Sequence, residues 1–349
     1  MDSNEISSQI QATIMALAND SKNLENYHTL ANLYGMDSKF DKMISTYESL
    51  LSIAPKDVLA LINIGSLWFY KRDYRKAFSY YKQAEELDPM NYVIFFNMGN
   101  VYAELKEFAK SLYYYNRALD LNSPQKDVYN AIARLFFDFN NYVEAEVYYK
   151  RALVFDKNDI TANAGLGSLF MKIADYEGAL VYYKKIVEFY PNDKDVCVCI
   201  GSALTSMNRK EEAFEYYEKA LKLAGNNYKA YISYAIAQSE FENFDKAVDL
   251  YNNAIDAKPE DATAHILLGN LYSDLNRFDL AQDQYTKVLR TNYKDAVAHM
   301  SSGNAYYMQD NIEKALVSYR DAIKMAPDSD EFKLVYIQIL DEYIDRKES

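Results

Sequence analysis

Apolar and polar positions recur along this chain with a period of 34 residues. Units begin at Leu24, Val58, Tyr92, Lys126, Ile160, Lys194, Tyr228, Ala262 and Ala296, and they run without a gap to Ser329. Within a unit, positions 4, 7, 8 and 11 fall on one helical stripe, and positions 17, 20, 24 and 27 on another. In the second unit these stripes are Leu61, Ile64, Gly65 and Trp68, then Tyr74, Ala77, Tyr81 and Ala84. The pattern predicts two helices per unit. The eighth position is always Gly or Ala. The twentieth is Ala in seven units, with Met43 and Ser111 as exceptions, and the twenty-fourth is always Tyr. Small residues at 8 and 20 let two helices approach closely, and large ones at 11 and 24 fill the space beside the contact. The pairs Asp73-Tyr74, Asn141-Tyr142 and Asp175-Tyr176 mark starts of the second helix, with the polar residue as cap. Pro55, Pro89, Pro191, Pro259 and Pro327 share position 32 and end it.

A strict repeat of this length is the signature of stacked units that bury their faces on their neighbours. Such a stack needs covers at its ends. In residues 1–23, Ile6, Ile10, Ile14 and Leu17 share one stripe, which predicts an N-terminal capping helix. Residues 330–349 predict a C-terminal cap. There Ile337 stands where every unit has Gly or Ala, so no partner helix is expected against it. The expected organisation is 1–23, 24–329 and 330–349, all helical, with 20 helices. Units six and seven depart most from the pattern, at Lys210, Gly225 and Gln238. They suggest local drift or a softer joint near residues 222–240.

The order apolar–x2–Leu–Gly–x2–aromatic, then Ala, Tyr, Ala and Pro resembles the tetratricopeptide repeat. The second unit carries nearly every expected residue, and the resemblance covers 306 of 349 residues. It implies an all-α superhelix, a right-handed solenoid of antiparallel helix pairs with a concave groove. Most members of the family bind peptides or protein segments.

Composition narrows the function. The formal net charge is −13, and no basic stripe is present, which argues against nucleic acid as a partner. No run of 18 apolar residues exists, so membrane insertion is not expected. The N-terminal sequence is acidic ahead of its apolar part, unlike a secretory signal, and a cytoplasmic location is the expectation. Twenty-four of the 34 tyrosines sit at positions 4, 11, 17, 23 and 24, so most tyrosine is framework. Cys197 and Cys199 lack disulfide or metal spacing. His265 and His299 occupy position 4, a packing position. The sequence holds no nucleophile–base motif, phosphate loop or metal-binding motif, so neither an enzyme nor a cofactor is expected.

The resemblance places positions 2, 5, 9, 12 and 13 of each first helix on the concave surface, with position 6 beside them. Position 9 reads Asn32, Ser66, Asn100, Arg134, Ser168, Ser202, Ile236, Asn270 and Asn304, and position 6 adds Asn63 and Asn97. Short amides both donate and accept, so this file suits the backbone of an extended peptide. Phe69, Tyr70, Phe96, Phe137, Met171, Tyr307 and Met308 are the candidates for side-chain pockets. Arg134 is a central cation able to meet a carboxylate. Positions 2, 5, 9, 12 and 13 carry seven acidic residues against three basic ones, too few cations for the dense carboxylate clamp of some family members. The expected partner is therefore an extended protein segment, neutral to basic. The alternative is an assembly protein that self-associates through its end helices or convex face as a homo-oligomer.

Overall fold

The computed structural model describes residues 3–121 and 125–348. Residues 1, 2, 122–124 and 349 lie outside the described residues. They belong to the expected N-terminal segment, the end of the third unit and the expected C-terminal segment. Among the described residues there are twenty helices and no strands. Helix α1 is Ser3–Asn19. Nine pairs follow: α2 (Leu24–Met36) and α3 (Phe40–Ile53), α4 (Val58–Tyr70) and α5 (Tyr74–Leu87), α6 (Tyr92–Glu104) and α7 (Phe108–Asp120). Next come α8 (Gln125–Asp138) and α9 (Tyr142–Phe155), α10 (Ile160–Lys172) and α11 (Tyr176–Phe189), α12 (Lys194–Ser206) and α13 (Lys210–Leu223). The last pairs are α14 (Tyr228–Glu240) and α15 (Phe244–Ala257), α16 (Ala262–Asp274) and α17 (Phe278–Thr291), α18 (Ala296–Met308) and α19 (Ile312–Met325). Helix α20 (Asp330–Glu348) ends the fold. The chain divides into two compact units, residues 1–169 and 170–349, with the boundary inside α10.

Local chemistry sets these boundaries. Asn or Asp precedes most first helices. Asp57 accepts the backbone N–H of Ala60, Asp159 that of Ala162, and Asp295 that of Ala298, which satisfies donors the first turn leaves open. Asp73 and Asp175 cap second helices in the same way, through Lys76 and Gly178. Asn141 departs from that expectation: it precedes α9 but makes no side-chain cap bond. Between the two helices of every pair, one residue at position 15 turns left-handed. These are Ser38, Arg72, Lys106, Asn140, Ala174, Asn208, Glu242, Asn276 and Asp310, with φ of 54–62°. The next N–H reaches back five residues, as Asp73 does to Trp68 (2.9 Å), and closes the end of the first helix.

The packing corrects one expectation. At Gly65, Gly99, Gly201, Gly269 and Gly303 the invariant tyrosine does not fill space beside position 8; it lies directly on it. A Cβ at Gly65 would sit 2.6 Å from the Tyr81 ring, and one at Gly303 2.5 Å from Tyr319. The Gly keeps its place because the ring occupies the volume a methyl would need. All nine tyrosines are at most 5% exposed. The exceptions at position 20 also have reasons. Ser111 is fully buried and donates to the Gly99 carbonyl (2.9 Å), while Met43 fills room beside Gly35.

The terminal helices pack on their neighbours. Ile10 of α1 is buried with Leu30, Leu33 and Tyr34, flanked by Ile6 and Leu17, whereas Ile14 is exposed. Ile339 of α20 packs among Ile312, Ala315 and Tyr319. The opposite side of α20 leaves Leu334 and Ile337 exposed. The departures in units six and seven are accommodated: Lys210 stands over Phe214 and Phe241, and the buried Gln238 accepts from Asn243 (2.8 Å).

Candidate binding face

Consecutive first helices touch one another within each compact unit: α4 and α6, α6 and α8, α12 and α14, α16 and α18. Their outward positions therefore line a shared face over each of these stretches. Behind it stand the position-24 phenols, and these organise the amides. Tyr115 donates to Asn100 Oδ1 (2.8 Å), Tyr285 to Asn270 Oδ1 (2.9 Å) and Tyr319 to Asn304 Oδ1 (2.9 Å). Tyr217 donates to the Ser202 hydroxyl at 3.2 Å, and Tyr81 lies at the same distance from Ser66. In each of these five pairs, position 8 is Gly.

Where position 8 is Ala, the tyrosine turns elsewhere. In the first pair (Ala31), Tyr47 accepts from Asn63 Nδ2 of the following unit (2.9 Å), and Asn32 is left exposed without a hydrogen bond. In the fourth pair (Ala133), Tyr149 lies over Gly165 of the following unit, where a Cβ would overlap its ring. The methyl at position 8 removes the space into which the ring otherwise folds.

This pairing fixes the orientation of the amides. The phenols each occupy one lone pair on the oxygens of Asn100, Asn270 and Asn304, while both N–H donors of each NH2 group stay open. The phenols themselves stay neutral, because burial pushes Tyr81, Tyr149, Tyr251 and Tyr319 up to about 12. For Tyr149 the nearby Arg134 charge opposes that rise.

Two clefts open on the lining within residues 1–169. The larger, about 490 Å³, lies between α8 and α10 and is lined by Asp127, Asn130, Arg134, Phe137, Tyr149 and Ser168, among others. The smaller, about 230 Å³, is lined by Phe69, Asn100, Glu104, Tyr115, Arg134 and Asp138. Arg134 belongs to both, and its contact with Asp138 is long, 3.9 Å. Four expected site residues, Phe69, Asn100, Arg134 and Phe137, thus line two clefts that share Arg134. Sequence phase had placed Ser168 in the position-9 file but had not drawn attention to Thr161, Ala164 and Gly165 beside it. Yet the four occupy positions 2, 5, 6 and 9 of one helix, and all are small.

The other candidates are placed differently. Phe96 packs on Tyr115 (5.9 Å between ring centres), and Asn97, half-buried, makes no side-chain hydrogen bond. Tyr70 is exposed and leans on Phe40 (5.0 Å), lining a separate cleft with Lys39, Lys42 and Lys71. In residues 170–349, Met171 is half-buried and Met308 exposed. Tyr307 donates to Glu342 of α20 (2.8 Å), so its hydroxyl is taken. His265 and His299 have separate partners, Gln284 (2.8 Å) and the Tyr293 carbonyl (3.0 Å). Burial pushes both cysteine thiols up. No group of metal-ligating side chains and no helix able to cross a membrane occurs among the described residues.

Comparison with known proteins gives a consistent result. Family models described as the tetratricopeptide repeat match residues 59–91, 93–124, 165–193, 195–227, 232–272 and 266–330. No curated protein matches. Among solved structures, a tetratricopeptide repeat protein from Parabacteroides merdae ATCC 43184 aligns with TM-score 0.58 and 17% identity, over 71% of this chain and 98% of that one. Yeast Tom70 aligns with TM-score 0.60 and 13% identity, over 99% and 93%. The Cut9-Hcn1 hetero-tetramer of the APC/C aligns with TM-score 0.52 and 17% identity, over 86% and 59%. At these identities the similarity is one of fold.

Proposed function

This chain belongs to the tetratricopeptide repeat family, and on that premise we propose that it is a non-enzymatic scaffold. It holds an extended segment of a partner polypeptide along the face lined by its first helices, in a cytoplasmic setting. The fold is generally one of protein–protein interaction, but fold alone names no partner. The observation that carries the reading is the pinning of Asn100, Asn270 and Asn304 by buried phenols. A fixed amide with both N–H donors open matches the carbonyl oxygens of an extended backbone, and fixing it beforehand lowers the entropy cost of binding. Clefts of side-chain size open on the same face.

The test exploits that geometry. Replacing Asn97, Asn100 and Asn304 by Asp keeps an acceptor for the Tyr115 and Tyr319 phenols but turns donors into acceptors. Affinity capture from native lysate should then lose a partner that the parent protein retains. Equal capture by both would contradict the reading. The alternative, self-association through an end helix, is favoured by the exposed apolar side of α20, with Leu334 at 67% and Ile337 at 52%. Light scattering that shows a mass doubled in the parent and halved by Leu334→Glu would support it.

A further inference from the structure

The cleft between α8 and α10 is more specific than a groove for backbone. It exists because α10 presents Thr161, Ala164, Gly165 and Ser168, where other first helices carry residues such as Phe96, Ile232 or Met300 at the equivalent positions. Phe137 and the buried Tyr149 line it together with the small residues Ala131, Ala164 and Gly165. Charges along its edge are sorted. Asp138 is partly neutralised by Arg134 at 3.9 Å. Asp127 is exposed and pairs with no cation, since Lys126 beside it is held by Asp156 (3.3 Å) and Asp159 (3.1 Å).

One turn beyond Asp127, Asn130 is 6% exposed. It gives its Nδ2 to Asp159 (2.8 Å), and its Oδ1 is buried without a partner. A buried oxygen without a donor is costly in a folded protein and marks a place where a donor belongs. The Asp127 end of the cleft therefore presents an unneutralised carboxylate and the hydroxyl of Thr161, with the unpartnered Asn130 oxygen buried in its lining, while Arg134 repels cations from the other end.

We propose that this cleft takes an arginine side chain of the partner, its alkyl stem over Ala131, Ala164 and Gly165 and its guanidinium against Asp127 and Asn130. Arginine suits the site better than lysine because its planar fork gives several donors to separate acceptors and stacks on aromatic rings. The proposal rests on the first-helix face being the binding face and adds the chemistry of one anchor.

A small probe tests it apart from that reading. The full chain, with its backbone amides resolved by NMR, is titrated with N-acetyl-arginine N-methylamide and with the neutral citrulline analogue. Saturable shifts are expected at Asn130, Ala131, Thr161, Ala164 and Gly165, with the arginine probe about tenfold tighter, the worth of one charge-assisted contact. Asp127→Asn, a change at an exposed position, should abolish that tenfold preference with no change in melting temperature. Equal binding of the two probes, absence of shifts in this cleft, or a preference that survives Asp127→Asn would overturn the proposal. A partner that is lost from the Asp-substituted scaffold but needs no arginine would sink this inference alone and leave the binding face intact.

Discussion

Gly99→Ala should destabilise this protein, although the same change inside an ordinary helix stabilises by about 1 kcal/mol. The added Cβ would lie 2.5 Å from the ring of Tyr115, which is 2% exposed and donates to Asn100. Overpacking of this kind costs roughly 1–3 kcal/mol. The ring cannot escape as Tyr47 and Tyr149 do, because Tyr47 has Asn63 in the next unit and Tyr149 has the space at Gly165. At the equivalent place the third unit meets Ala131, which offers neither partner nor room. Displacing the phenol also breaks its bond, about 1 kcal/mol more. With the helix gain subtracted, the net loss is roughly 1–3 kcal/mol. Urea unfolding followed by circular dichroism measures it as a lowered midpoint, and Gly225→Ala, whose Cβ would meet nothing within 4 Å, serves as the control. A Gly99→Ala protein as stable as the parent would refute the claim that position 8 is small to seat the tyrosine.

Further consequences follow from the same contacts. Ala174→Gly relieves a left-handed residue that bears a Cβ (φ 61°) and should stabilise by about 0.5–1 kcal/mol, whereas Asn208→Gly should gain less because Asn tolerates that conformation. Paired thermal melts would show the difference. Asp73→Ala removes a cap bond and should cost about 1 kcal/mol, while Asn141→Ala, with no such bond to lose, should stay within a few tenths. Alkaline titration should unfold the chain steeply. Tyr81, Tyr149, Tyr251 and Tyr319 are pushed up from 10 to about 12, so the unfolded state releases its protons first. Their contribution is complete below pH 10 and falls by roughly 5 kcal/mol per pH unit for the four between 10 and 12. Phenolate absorbance that runs to completion while the chain is still folded would contradict the burial assigned to them.

Much of this fold is legible in the sequence, because each helix has its own stripe and most carry their own boundary residues. The first residue of eight first helices coincides with the start of a 34-residue unit; only α8 begins one residue early. The left-handed turn at position 15 is not legible. The chain puts Ser, Arg, Lys, Asn, Ala, Glu and Asp there rather than Gly, and the signal lies in the register instead. The candidate face was legible as a set of positions, but the pinning of its amides was not. That depends on where the position-24 phenol points, and whether position 8 is Gly or Ala steers that direction. The cleft beside α10 was visible in principle as Thr161, Ala164, Gly165 and Ser168 in phase. Its significance emerges only with Tyr149 swung over Gly165 and the unsatisfied oxygen of Asn130 beside it.

The central claim is that the first helices bind the partner. It is tested most directly by placing the photo-crosslinking residue p-benzoylphenylalanine at Ser168, on the first-helix face, or at Val147, which is 43% exposed on the second helix α9. Illumination in native lysate should give a discrete crosslinked partner from position 168 and none from position 147. The same partner joined at 147 and absent at 168 would place binding on the other face and contradict the account.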